Sequence, residues 1–239
     1  MAPSRTKKSV LNIGFNFVNQ IIMLLLTFIS RTVFIHTLGV EYLGINGLFS
    51  DVLGLLSMAD LGFNTAMVYS FYKPLANNDY RKIAALITFY KKVYNFIAMG
   101  VSVCGMLIVP FLKYMVNLDN QIPNLEIIYV LSLLNIVASY LCVYKTSIIN
   151  ADQNGYIVTR ISMIMNIGKT IMQIIVLLMF KNYMVYLIVG VVISILNNVI
   201  ASKKAEKLYP FINDKVFLKK SERKEIFSNL KAVFLYKVS

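Results

Sequence analysis

Six long apolar stretches, 10–35, 43–72, 93–112, 126–144, 156–180 and 183–202, follow one another along 239 residues with only short polar segments between them. About 20 such residues in a helix cross the ~30 Å hydrocarbon layer of a bilayer. Backbone groups in that layer have no water to bind, and a helix satisfies them within its own segment. The pattern predicts an all-α, polytopic membrane protein: a six-helix transmembrane bundle over residues 1–202, a basic loop over 203–226, and the start of a seventh helix over 227–239, cut off at Ser239. Composition bears this out, at 58% hydrophobic and 15% charged residues, where soluble domains hold about half and a quarter.

The net charge of +13 would suit nucleic acid if the cations were gathered on one surface, but their distribution argues for topology instead. Arg5, Lys7 and Lys8 precede the first span. Lys73, Arg81, Lys82, Lys91 and Lys92 follow the second, and Lys145 and Arg160 flank the fourth loop. Lys203, Lys204, Lys207, Lys215, Lys219, Lys220, Arg223 and Lys224 fill the sixth, while the alternate loops carry only Lys113 and Lys181. By the positive-inside rule the N-terminus and the even loops are cytoplasmic. The 203–226 loop reads as a surface segment resting on anionic headgroups. The first apolar run is too long for a cleaved signal and lacks a small-residue cleavage site, so it is expected to stay as an anchor. With no Trp in the chain, Tyr42, Tyr72, Tyr94, Tyr114, Tyr144, Tyr156, Tyr183 and Tyr209 are expected at the interfaces. The outer loops, 36–42, 113–125 and 181–182, are too short for a catalytic domain.

Polar residues inside the spans fall on stripes. In the first, Asn12, Asn16, Asn19, Gln20, Thr27, Ser30 and Arg31 share an arc of roughly 120°. In the second, Asn46, Ser50, Ser57, Asp60 and Asn64 share roughly 80°, with Asp51 off the arc. Ser132, Asn135, Ser139, Cys142 and Thr146 form a stripe on the fourth span, and Thr159, Ser162, Asn166, Lys169, Thr170 and Gln173 one on the fifth. The third and sixth spans are polar only locally and read as peripheral. Single Ser, Thr and Asn residues serve as hydrogen-bonding glue between helices, whereas several full-length stripes with ionisable groups at depth suit a water-filled cavity. Lys169 and Asp60 fall at matching depth, which also fits a structural ion pair, and Arg31 stands near enough to the outer interface to snorkel.

Enzyme motifs fail. Gly168-Lys169-Thr170 imitates the end of a phosphate-binding loop, but Met163 stands where that pattern needs glycine. His36 has no ligand-forming neighbours, so no metal is expected. Cys104 and Cys142 read as small buried hydrophobes. No nucleophile and base arrangement can be assembled, and no enzyme, cofactor or nucleic-acid partner is expected.

Three segments, Ser30-Arg-Thr-Val-Phe-Ile-His-Thr-Leu-Gly39, Glu41-Tyr-Leu-Gly-Ile-Asn-Gly-Leu-Phe49 and Leu55-Leu-Ser-Met-Ala-Asp-Leu-Gly62, carry a resemblance that Tyr72-Lys-Pro-Leu-Ala76, Ala151-Asp-Gln-Asn-Gly-Tyr156 and Ala205-Glu-Lys-Leu-Tyr-Pro210 extend. From about residue 8 onward the chain resembles the bacterial polysaccharide-transport proteins of the multidrug/oligosaccharidyl-lipid/polysaccharide flippase superfamily. The resemblance implies a bacterial inner-membrane flippase for a polyprenyl-pyrophosphate-linked oligosaccharide, in capsule, O-antigen or exopolysaccharide synthesis. It also implies two six-helix lobes around a central cavity, of which this chain supplies the N-terminal one, so the partner is a missing C-terminal lobe or a second copy. On that reading Arg31 and Lys169 attract the diphosphate, Asn12, Asn16, Asn19, Asn135 and Gln173 bind sugar hydroxyls, and Asp60, where relatives often have Glu, orients Lys169 or binds a coupling cation. The alternatives are a cation-coupled drug exporter of the same superfamily and a truncated lobe that binds a partner without transporting.

Overall fold

A computed structural model of the chain describes residues 5–57, 61–115, 122–220, 222–223 and 226. These residues form nine α-helices and no strand: α1 (Arg5–Leu38), α2 (Val40–Ser57), α3 (Leu61–Ala76), α4 (Tyr80–Ile108), α5 (Leu112–Met115), α6 (Leu125–Tyr140), α7 (Val143–Ala151), α8 (Gly155–Phe180) and α9 (Tyr183–Leu208). Short 3-10 turns join α4 to α5 and follow α9. Among the described residues, four stretches are long and apolar enough to cross a membrane: Lys8–Leu38, Tyr80–Met115, Gly155–Phe180 and Tyr183–Leu208. The pair α6 and α7, bent by 45°, makes a fifth if it is one span. Six spans were expected; of the expected 43–72 span the structure describes α2 and α3, and residues 58–60 between them lie outside the described residues. So does the expected seventh helix from Phe227 onward. Large apolar side chains cover the outer faces, among them Phe17 and Phe28 of α1, Leu107 of α4, Leu178 of α8 and Ile188 of α9. Contiguous apolar surface of that kind is stable in lipid and not in water. The chain is a helical membrane protein.

The basic segments gather at one end of the bundle. Lys8 of α1 pairs with Asp152, 3.5 Å away in the turn between α7 and α8. Lys145 of α7 pairs with Glu206 of α9, and Lys82 of α4 with Glu222. Tyr80 stacks on Phe211, ring centres 4.6 Å apart. The Tyr209 hydroxyl donates to Asp152 Oδ2 at 2.8 Å, and burial pushes its pKa up, so it holds its proton as a donor. Lys82 and the Lys219 amide hold the Glu222 carboxyl below its ordinary range by hydrogen bonding. Turns that the charge pattern assigns to one side of the membrane are thus tied to one another directly.

Two connections are tighter than the sequence suggests. The expected 36–42 outer loop shrinks to Gly39, the single residue between α1 and α2, whose φ of +92° lies in the region that favours glycine. The third span does not begin at 93 but continues a helix that starts at Tyr80, where Asp79 caps it by accepting the Lys82 amide. Tyr94 therefore lies well inside α4 and is buried, whereas Tyr144 and Tyr183, also buried, stand at the starts of α7 and α9. Cys104 is exposed on the outer face of α4, not buried, and Cys142 is half-buried where α6 meets α7; both are free thiols.

That break has an identifiable cause. Ala138 O would receive the Cys142 amide in a continuous helix; instead it accepts Asn198 Nδ2 from α9 at 2.7 Å and the Leu141 amide at 3.3 Å. A side chain inserted into the backbone ladder bends a helix in this way. Higher up, α4 and α6 meet where α4 has no side chain: Tyr129 donates to Gly105 O at 3.1 Å, and a Cβ at 105 would come within 2.5 Å of Leu133. Gly105→Ala is expected to destabilise the bundle by about 1–3 kcal/mol through overpacking. Adding Leu133→Ala should recover part of that loss, read as thermal unfolding in detergent across the double-mutant cycle.

Candidate functional site

The polar stripes of α1 and α8 face each other along parallel helices, and they behave differently at their two ends. Near the basic end they are joined. Asn12 Oδ1 accepts the Tyr156 amide at 2.6 Å and Asn12 Nδ2 donates to Gln153 O at 2.9 Å, so a side chain of α1 caps the first turn of α8. One turn on, Thr159 donates to Asn16 Oδ1 at 3.0 Å. Asn19 Oδ1 is buried without a hydrogen-bond partner among the described residues.

Beyond that zipped region lies a cavity of about 430 Å³. Thr27, Ser30 and Arg31 of α1 line it, with Asn46 and Gly47 of α2, Asn135 of α6, Lys169, Thr170 and Gln173 of α8, and Tyr186, Leu187 and Gly190 of α9. Four expected site residues, Arg31, Asn135, Lys169 and Gln173, therefore share one space. Asn12, Asn16 and Asn19 stand apart from it, on the zipped side, and Asp60 lies outside the described residues. Lys169 stands about 21 Å along α8 from Gly155 at 1.5 Å per residue, deep within the span.

The polar lining is held in place. Tyr183 donates to Asn46 Oδ1 at 2.9 Å, Gln173 Nε2 donates to the Tyr186 carbonyl at 3.1 Å, and Ser194 donates to Asn135 Oδ1 at 2.7 Å. Ser30 hydrogen-bonds the Tyr186 hydroxyl. A Cβ at Gly190 would stand 3.2 Å from Gln173 Nε2, so the glycine lets α9 approach this buried amide. The sixth span is thus not peripheral. The N-terminal half of α9 walls the cavity, because Gly190 and the adjacent carbonyl of Tyr186 permit close packing on α8. Tyr186 and Gly190 escaped the sequence reading: neither is a stripe residue, and an aromatic and a glycine in an apolar run carry no polar periodicity.

Arg31 and Lys169 make no ion pair among the described residues, and no acidic side chain is among the described residues lining the cavity. A cation at depth without a counter-charge is costly unless water or an anion solvates it. At about 30 Å³ per water molecule the cavity has room for several. Two cations with no described acid beside them give the space a field that favours anions. Set against known proteins, the chain matches no family model, no curated protein and no solved structure.

A cysteine at position 27 reports this field. In a Cys104→Ser, Cys142→Ser background, Thr27→Cys is expected to react faster with an anionic than with a cationic methanethiosulfonate, by about tenfold at low salt. Lys169→Gln should shrink that ratio. Failure of both reagents to label Thr27→Cys would show the cavity to be dry.

Proposed function

We propose that the chain is one lobe of a flippase that moves a polyprenyl-pyrophosphate-linked oligosaccharide across a bacterial inner membrane. The observation that carries the reading is the pairing of Arg31 and Lys169 in one intramembrane cavity with no described acid in its lining. A diphosphate brings two adjacent anionic groups, and charge-assisted hydrogen bonds from cations to phosphate oxygens strengthen as the local dielectric falls. Asn46, Asn135, Gln173 and Tyr186 supply the neutral hydrogen-bonding groups that sugar hydroxyls need. The polyprenyl tail would remain in lipid along the apolar outer faces. The segment resemblances from Ser30 to Gly62 and from Ala151 to Tyr156 support the same reading.

In this reading the six-span N-terminal lobe works against a second lobe, or a second copy, by rocking about the cavity so that it opens alternately to either side. The N-terminus and the basic end face the cytoplasm, in accord with the loop charges. Asn12 and Asn16 act as joints between α1 and α8 rather than as sugar ligands, since they bond across a contact that is not part of the cavity lining.

The test is binding followed by transport. The chain in lipid nanodiscs should bind a polyprenyl diphosphate, and Arg31→Ala and Lys169→Ala should each weaken binding by about tenfold or more, as expected for a lost hydrogen bond to a charged group. In proteoliposomes with the second lobe supplied, the same variants should slow translocation without impairing insertion. Unchanged binding in both variants would remove the proposed diphosphate role, and export of cationic dyes with no movement of the oligosaccharide would identify an exporter.

A further inference from the structure

A second recess lies on the opposite side of α8. It has a volume of about 680 Å³ and is lined by Tyr156, Ile157, Arg160, Ile161 and Ile164 of α8 and by Ile200, Lys203, Lys204 and Lys207 of α9. Nine residues separate Arg160 from Lys169, which at about 100° per residue puts the two cations on opposite faces of α8. The recess is therefore separate from the cavity that Lys169 lines.

Its lining is part aliphatic and part cationic. Ile157, Ile161 and Ile164 follow one another at helical spacing and with Ile200 form a branched aliphatic wall, of which Ile161, Ile164 and Ile200 lie farther from the basic end than the cations and Ile157 lies beside Arg160. Arg160, Lys203, Lys204 and Lys207 are all exposed and stand at the mouth. No acidic side chain is among the described residues lining it, and the two nearest in sequence are engaged elsewhere: Asp152 with Lys8 and Tyr209, Glu206 with Lys145. None of the described ion pairs uses any of the four mouth cations. Four exposed like charges around one recess give it a positive potential that attracts an anion. An anion alone would not use the isoleucine wall, and an alkyl chain alone would not use the cations.

We propose that the recess between α8 and α9 is a binding site for an anionic glycerophospholipid of the surrounding leaflet. Its phosphate is held by Arg160, Lys203, Lys204 and Lys207, and one acyl chain lies along Ile157, Ile161, Ile164 and Ile200. A basic pocket between spans at the headgroup level is suited to such a lipid, and each cation near the surface contributes several-fold in affinity. The bound lipid fastens the end of α9 to the start of α8, the same pair of helices that walls the cation-lined cavity higher up.

The chain contains no Trp, so Ile164→Trp introduces a single tryptophan at the wall. The full chain carrying Ile164→Trp is reconstituted in phosphatidylcholine with brominated-chain phosphatidylglycerol, or with brominated phosphatidylcholine in its place. Quenching is expected to favour brominated phosphatidylglycerol by about tenfold in apparent affinity. Neutralising Arg160, Lys203, Lys204 and Lys207 to Gln should remove that preference, while Lys169→Gln, and Lys215→Gln with Lys219→Gln and Lys220→Gln, should leave it intact. Equal quenching by the two lipids would overturn the site. Loss of the preference in the Lys215, Lys219 and Lys220 variant would also overturn it, by showing a diffuse surface field. Abolition of the preference by millimolar inorganic phosphate would reassign the recess to a free anion. Retained preference in Lys169→Gln keeps this outcome distinct from the fate of the diphosphate reading.

Discussion

Hydrocarbon offers polar groups no hydrogen bonds, so each one carried into the membrane must find a partner within the protein or a pocket of water. The polar face of α1 meets that demand in both ways along a single helix. From Asn12 to Asn16 it is satisfied by α8, amide against backbone and hydroxyl. From Thr27 to Arg31 it opens on a cavity. Because α1 and α8 run in the same direction, the bonded residues lie at one end of the pair and the cavity-lining residues farther along it. Helices α2, α6 and α9 complete the cavity wall.

Helix α9 links this wall to the rest of the bundle. It contributes a glycine and a carbonyl to the cavity wall through Gly190 and Tyr186, orients Asn135 through Ser194, and bends the α6 and α7 pair through Asn198. These contacts lie along one helix, so a displacement of α9 would disturb the cavity wall and the bend together. The recess at its basic end, facing lipid, is where a bound phospholipid would act on that position.

Positive charge is used differently at three levels of the molecule. Lys8, Lys82 and Lys145 are paired with carboxylates at the basic end, where they tie separate turns to one another. Arg160, Lys203, Lys204 and Lys207 are exposed around an apolar recess. Arg31 and Lys169 lie within the span, among neutral polar groups. The same side-chain chemistry is structural where an acid lies close and solvent screens the pair, and is available to an external anion where no acid is at hand.

The helical membrane architecture is legible in the chain itself, because span length and apolar content are one-dimensional properties set by bilayer thickness. The gathering of the even loops at one end could be foreseen in the same way from their Lys and Arg content. The stripes of Thr27, Ser30, Arg31, Asn46, Asn135, Lys169 and Gln173 were visible because helical periodicity projects onto sequence. Periodicity cannot tell which part of a stripe is bonded to a neighbour and which part is left open, so Asn12 and Arg31 looked alike although one caps a helix and the other faces a cavity. Nor could it show that α9 belongs to the wall, that Tyr94 lies inside a helix begun at Tyr80, or that Asn198 breaks α6 from α7. Those outcomes depend on which residues of separate helices approach within a few ångströms, and that is decided only when the spans pack against one another.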